Sequence, residues 1–517
     1  MRRLPLFIAL AVGVLGLLTT PALASPKSFY VSPSGGNDTK AIQKAFYDAV
    51  KAGPGSTVQL SAGHFYANNI VVTGFNGCFR GAGEGMTVID TLRGRYPNGP
   101  GLTFPTDAKG VALEPGPEFF SFDGGNVRVS DLTFNISAAH PAEPWNNNTT
   151  PDYELSDNLA GIVLVTGSAS SAFTRVGFVA HPGLAEGWPY NVDVAIQIAG
   201  PMTLNPTQGD GFDWGPPVGG LDTVSACDFE NLNVGVGAIV FTGTLTVGGS
   251  PCQGNVFNDI GAIAFASQAG GGQRTAFTYN RVNPGSSYLY GVWATQNNNS
   301  DITGTAPSQF LIAHNDMRGC YDGVLAWHWY DTYSYPTDSS AIAPAHYVIA
   351  DNNISASNAV DEGMFLEDDS LAAGNGQTLS ALVAHNNIVL SDTQYGGIDG
   401  DCVAGALVWD NVISGSGLAG ICMGSSLYGD TAYGSDSGWQ IIGNDVSHLT
   451  ASVAPIWLGP GTLDCTVIGG PRPTEVLDQG VDNTLINVTP VTDPPAPAAT
   501  PMNSLAQMKQ LKKMMRP

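Results

Sequence analysis

The sequence predicts an all-β fold, a parallel solenoid closed at its N-terminal end by one α-helix. Three observations predict it. A short amphipathic helix and a run of tight strands open the region after residue 25. A phrase made of an apolar run, an asparagine and another apolar residue then returns at coil-like intervals. A second strand follows each phrase and aligns with its counterparts on a small residue.

The first residues of the 517-residue chain belong to no fold. Met1-Arg2-Arg3 is basic, residues 4 to 20 are apolar, and Ala22-Leu23-Ala24 is a small-x-small site. Residues 1–24 therefore read as a secretory signal peptide cleaved after Ala24, which predicts a secreted, extracellular protein. No later stretch is long and apolar enough to span a bilayer. Residues 25–489 read as the solenoid with its N-terminal cap. Residues 490–517 read as a Pro/Ala-rich linker followed by a short tail carrying Lys509, Lys512, Lys513 and Arg516.

Residues 38 to 51, DTKAIQKAFYDAVK, form the helix. Asp38 stands where it can cap, and Ile42, Ala45, Phe46 and Ala49 make one apolar face. A Gly-Pro-Gly break precedes STVQLSAGHFYANNIVVTG, read as short strands with tight turns. The stretch GGNDTKAIQKAFYDAV followed by STVQLSAGHFY resembles the entry segment of the pectate-lyase-like superfamily. That resemblance implies a single-stranded right-handed parallel β-helix whose open end the helix covers. It implies little about activity, because the superfamily includes lyases, hydrolases, epimerases, transferases and phage tailspikes.

The repeat supports the same fold independently. FLIAHNDMRG, YVIADNNISA, ALVAHNNIVL, ALVWDNVISG and QIIGNDVSHL carry Asn315, Asn352, Asn386, Asn411 and Asn444. GNVFND and TYNRVN add Asn255 and Asn280, and the seven are spaced by 25, 35, 37, 34, 25 and 33 residues. The two steps of 25 read as bare coils, and the longer ones as the same coil with a loop inserted. Stacked about 4.8 Å apart, such amides can bond one another and the backbone, so the column reads as a structural ladder. His314 and His385 precede ladder asparagines and read as turn residues rather than bases.

The strands after the ladder are GVLAWHW, GMFLEDD, GIDGDC, GICMGSS and PIWLGPG, from residues 323, 363, 397, 420 and 455. With side chains alternating, Val324, Met364, Ile398, Ile421 and Ile456 face the bore, as do Ala326, Leu366, Gly400, Met423 and Leu458. The positions between them face out. Glu367 then lies against Asp401 on the next coil, with Asp399 diagonal to both. Trp327 lies one coil earlier, Trp457 two coils later, and Trp293 and Phe365 also point outward. The expectation is an outward acidic cluster flanked by exposed aromatics.

Close parallel carboxylates repel, so one holds its proton to higher pH, as glycoside hydrolysis requires. The candidate catalytic residues are Glu367, Asp399, Asp401, Asp368 and His328. The candidate sugar-stacking residues are Trp293, Trp327, Trp457 and Phe365. Adjacent strands, about 5 Å apart, suit a retaining pair, and the diagonal to Asp399 an inverting one. No cofactor is expected, although three close carboxylates also make a hard-oxygen site for Ca²⁺.

Charge narrows the partners. The formal net charge is −24, and lysine is absent from residue 110 to residue 508. Such a surface disfavours nucleic acid and anionic lipid. The polygalacturonase motifs Gly-His-Gly and Arg-x-Lys do not occur, and no Lys or Arg lies between Arg318 and Arg472. β-Elimination needs positive charge at the reacting carbon, which places a polysaccharide lyase third. A monomeric glycoside hydrolase on a neutral extracellular polysaccharide comes first, and a non-catalytic surface or adhesion protein binding a glycan or a partner second. The seven cysteines include no CxxC pair and fix no disulfide connectivity.

Overall fold

The computed structural model describes residues 26–67, 70–91, 118–137, 159–167, 170–181, 192–199, 202–204, 212–214, 219–269, 271–286, 289–297, 306–329, 343–356, 362–368, 379–424, 436–470, 472 and 474–491. The signal-peptide region, the basic tail and Asp369 lie outside the described residues. Within them the chain winds as a right-handed parallel β-helix, with successive coils pairing strand on strand in one continuous sheet system. No helix among the described residues is long and apolar enough to cross a membrane.

Each coil contributes to three faces. The first sheet carries, in order, Ile263–Ala269, Tyr290–Asn297, Val324–Trp329, Met364–Asp368 and Gly396–Asp401. The second carries Arg274–Thr278, Ser308–Ala313, Ala345–Ala350 and Leu379–Ala384. The third carries Asp316–Cys320, Asn353–Ala356 and Asn387–Leu390. All these neighbours pair in parallel. A single apolar core fills the bore from Val31 to Val476.

The helix Thr39–Ala52 covers the first coil, burying Ile42, Ala45, Phe46 and Ala49. Phe46 packs on Phe75, Phe79 and Phe122, with centroids 5.0–5.9 Å apart. Asp38 corrects one expectation. It stands at the N-cap, but its side chain makes no cap hydrogen bond. Its carboxylate accepts instead from the Ser34 and Tyr66 amides, at 2.8 and 3.1 Å, and so ties the helix entry to the first coil.

The asparagine ladder forms as expected, between the second and third sheets. All seven side chains are buried. Each Asn Nδ2 donates to the next Oδ1 up the coil, from Asn255 through Asn444, at 2.9–3.3 Å. The same Nδ2 donates to a backbone carbonyl one coil back, and the same Oδ1 accepts the backbone N–H of the preceding asparagine. The residue before the asparagine takes the left-handed conformation: Tyr279, His314, Asp351, His385 and Asp410 all have φ between 52° and 59°. That explains the two histidines. Each occupies the turn's αL position, and its ring stacks on Tyr279 or packs edge-on to Trp409.

Candidate active site: a carboxyl cluster on the first sheet

The register on the first sheet is the one the sequence implies. Trp327 pairs with Glu367, Glu367 with Asp401, Phe365 with Asp399, and His328 with Asp368. Leu325, Trp327 and Phe365 lie outside the bore core, as alternation requires. The bore is thus lined by Val324, Ala326, Met364 and Leu366, and the acids at Glu367 and Asp401 point away from it.

The aromatic expectation is corrected. Trp293, Trp327, Phe365 and Trp457 face outward, yet they are only 2–9% exposed. Trp293, Trp327 and Phe365 join Tyr290, Tyr321 and Leu325 in a second apolar core on the outer side of the sheet. Trp293 packs against Tyr290 and Trp327 at 5.0 and 6.2 Å. Trp457 sits in a third cluster with Cys422 and Leu477, its indole donating to Gln479 at 3.1 Å. Rings one coil apart cover one another, and removing that area from water outweighs leaving it open to a ligand.

His328 and Asp368 sit at the fifth strand position and follow the bore-facing alternation. Both are fully buried, with Nδ1 and Oδ1 3.5 Å apart. Burial pulls the imidazole down to about 4 against the opposing pull of Asp368, so the ring is neutral at ordinary pH. Asp368 Oδ2 accepts the Leu379 amide at 2.9 Å, which fixes it in the turn to the second sheet. This pair is separated from the outward acids by the strand itself.

The outward acids form two groups. The first contains two residues that sequence alignment left out. Val324 pairs with Met364 and Met364 with Ile398, so the positions equivalent to Gly396 one and two coils earlier are Glu362 and Asp322, each just before its aligned glycine. Gly396 has no side chain, and the Asp399 carboxyl folds back into that space. Its Oδ1 lies 2.1 Å from where a Gly396 Cβ would stand, and its Oδ2 accepts the Gly396 amide at 3.0 Å. The result is a stack of Asp322, Glu362 and Asp399, all at most 2% exposed. The Glu362 amide donates to Asp322 Oδ1 at 3.3 Å. Burial, then the charge of Glu362, pushes the Asp322 carboxyl well up. A signal was present in the sequence: Asp322-Gly323 and Glu362-Gly363 repeat in register, but the alignment began one residue too late.

The second group contains Glu367, Asp401 and Asp436. Asp436 opens the short strand Asp436–Ser437 and is fully buried. It accepts the amides of Val403 and Gly424 at 2.9 and 2.8 Å, pinning the exits of two consecutive strands. Burial, then the Asp401 charge, pushes its carboxyl up to about 7. The Cys402 thiol donates to Asp401 Oδ1 at 3.3 Å, and burial first, then the charges of Asp401, Asp436 and Glu367, push the thiol's own ionisation far up. Cys402 is no nucleophile in this setting. All seven cysteines are free thiols. Nothing in the sequence around Asp436 marks it, because its partners are backbone amides of other coils.

Among the described residues, no group of three His, Cys, Asp or Glu side chains is arranged to hold a metal ion. The Ca²⁺ expectation therefore has no such ligand group behind it. The acids are arranged toward each other and toward backbone amides.

Comparison with known proteins adds fold and nothing finer. No family model and no curated protein sequence matches the chain. Among solved structures it is similar to the Dettilon tailspike protein, with 11% identity, TM-score 0.42 and coverage of 90% of this chain and 69% of that one. It is also similar to the periplasmic alginate epimerase AlgG, with 10% identity, TM-score 0.44 and coverage of 84% and 77%. A polygalacturonase from Erwinia carotovora ssp. carotovora matches with 10% identity, TM-score 0.35 and coverage of 91% and 96%. The parallel β-helix described above rests on the chain's own strand pairing. Identities and scores this low carry no activity from one protein to another.

Proposed function

We propose that this protein is a secreted carbohydrate-active β-helix that hydrolyses glycosidic bonds of an extracellular polysaccharide, with Glu367 and Asp401 as the working carboxyl pair. One observation carries the reading. Within the cluster, Glu367 and Asp401 retain 9% and 8% exposure, whereas Asp322, Glu362, Asp399 and Asp436 are at 2% or less. The two acids a substrate can touch are the two paired on adjacent coils.

Adjacent coils set their backbones about 4.8 Å apart, close to the carboxyl spacing of retaining glycosidases. Asp399, the diagonal candidate for an inverting pair, is turned back onto Gly396. Asp401 accepts the Cys402 thiol hydrogen bond, lies beside Asp436, and is the carboxylate placed to attack the anomeric carbon. Glu367, with Trp327 paired behind it, gives its proton to the departing glycosidic oxygen as that C–O bond breaks. It then takes a proton from the water that releases the sugar from Asp401. Asp436 is a positioning residue here: it touches backbone, not substrate.

A second reading is a non-catalytic glycan-binding surface protein. The burial of Trp293, Trp327 and Phe365 favours it, because the first sheet then has no open aromatic platform. A polysaccharide lyase remains third, since residues 319–471 contain no Lys or Arg to stabilise an enolate.

The test is reducing-sugar release from a panel of neutral polysaccharides, with the product anomer read by proton NMR. Glu367→Gln and Asp401→Asn should each lower the rate by about 10²–10⁴-fold. Asp399→Asn should change it little. Unchanged rates in both single variants would remove the site, and an inverted product would replace the pair with another.

A further inference from the structure

The second sheet presents a different outer face. Its strands Thr244–Gly248, Arg274–Thr278, Ser308–Ala313, Ala345–Ala350 and Leu379–Ala384 pair without a register break. One outward column reads Thr244, Arg274, Gln309, His346, Ser380. Two residues further on, the next column reads Thr246, Ala276, Leu311, Val348, Leu382. The residues between the columns, Leu245, Thr275, Phe310, Tyr347 and Ala381, are buried inward.

The two columns differ in chemistry. The first is a line of hydrogen-bonding groups, with His346 Nδ1 and Ser380 Oγ 2.6 Å apart. The second is apolar at its centre, where Leu311 and Val348 are 41% and 37% exposed. Neither contains a carboxylate, in a chain with a formal charge of −24. Between them runs a trough of about 590 Å³, bordered by Thr244, Arg274, Gln309, Leu311 and Val348 and ending at His346. A second trough of about 510 Å³ begins at His346 and continues past Ser380, Gly405 and Ser437.

We propose that this double trough binds a neutral linear polysaccharide laid along the solenoid axis. A pyranose ring has an apolar C–H face and a rim of hydroxyls. The Leu311–Val348 strip receives the first, and the Thr244–Ser380 column bonds the second. An extended glycan advances, sugar by sugar, by close to one coil's rise of about 4.8 Å, so equivalent contacts repeat on successive coils. Overall acidity repels a polyanion, and the carboxylate-free columns leave an uncharged chain unopposed. The proposal deepens the glycan reading above, on which it rests for the ligand class, but it lies on another sheet and does not use the carboxyl pair.

The experiment is affinity electrophoresis and calorimetry of the full chain with a soluble β-glucan, a xylan, a mannan and a polyuronate. Variants are Leu311→Asp with Val348→Asp, Gln309→Ala with His346→Ala, and, as a control on the exposed third sheet, Val389→Asp, each checked for an unchanged unfolding midpoint. The wild type should bind at least one neutral chain. The double aspartate variant should weaken binding by about tenfold or more, the Gln309/His346 variant by several-fold, and Val389→Asp not at all. Wild-type affinity in both trough variants, no binding of any neutral chain, or binding of the polyuronate alone would each overturn the assignment. Loss of binding with sugar release from short oligosaccharides intact separates the trough from the catalytic pair.

Discussion

Two columns of buried polar side chains run up this solenoid, one residue per coil, and they are made of opposite chemistry. In the asparagine ladder every amide both donates and accepts, so each side chain satisfies its neighbours and two backbone groups besides. In the Asp322–Glu362–Asp399 stack every ionised group only accepts. A neutral ladder propagates without limit, whereas in the carboxyl stack burial, then the charge of Glu362, holds the Asp322 carboxyl well above its ordinary range. The first is architecture, and the second couples the architecture to pH.

The largest effect is expected from breaking the ladder at its middle. Asn352→Ala strands the Ile312 carbonyl and the Asn315 amide, and takes one of the two acceptors from the Asn315 side-chain nitrogen, which keeps the Phe277 carbonyl. Two buried groups left without these partners and one unpaired N–H on a third cost about 5 kcal/mol in all. Urea denaturation should show a clear fall in midpoint. A midpoint within error of wild type would mean that the amides do not carry the turn.

The carboxyl groups should give the next largest effect, through pH. Asp436 is raised to about 7 and Asp322 well above its ordinary value, both chiefly by burial. In the window between the unfolded and folded values the native state binds more protons, so stability falls as pH rises. Their contribution is complete below about pH 4 and is lost as pH climbs through the folded values, by roughly 4 kcal/mol for Asp436 alone. A melting temperature about 5 °C higher at pH 4.5 than at pH 8 is expected. A flat profile, or one rising with pH, would contradict the shared-proton stack.

General repulsion on an acidic protein also lowers stability with pH, so a variant must separate the two. Asp322→Asn leaves the bulk charge nearly untouched but removes one carboxyl from the stack. It should raise stability at pH 8 by about 2 kcal/mol and change little at pH 4, flattening the pH dependence. Equal shifts at both pH values would assign the effect to packing instead.

The contrast also shows what was legible in the sequence. The ladder was, because its chemistry demands one residue type at one place per coil, and the strand register followed from it. Glu367 against Asp401, and Asp399 one strand position from Gly400, could be placed by alternation alone. Exposure could not, because whether Trp327 meets water depends on what packs outside the sheet, and no periodicity along one strand encodes that. Asp322 and Glu362 stand one residue before the aligned strands, and what alternation does not show is that the missing side chain at Gly396 lets Asp399 join them from a place that is not its own in the register. Asp436 was hidden because it binds backbone amides, which every sequence has.

A third column sharpens the comparison at its weak end. On the outer face of the third sheet Asn387 Nδ2 donates to Asn353 Oδ1 at 2.8 Å, and Asn353 Nδ2 donates to Asp316 Oδ1 at 2.9 Å. These amides also bond coil to coil, though each donates to the coil before where the buried ladder donates to the coil after, and Asn353 and Asn387 are exposed while Arg318 already pairs with Asp316. Water replaces any partner lost there. Asn353→Ala should therefore cost no more than about 0.5 kcal/mol, a tenth of the Asn352→Ala effect one residue earlier. The two substitutions remove the same side chain from the same coil, so the ratio of their midpoint shifts measures what burial adds to an amide ladder. Equal shifts would mean that stacking geometry, not exclusion of water, is what holds the coils together.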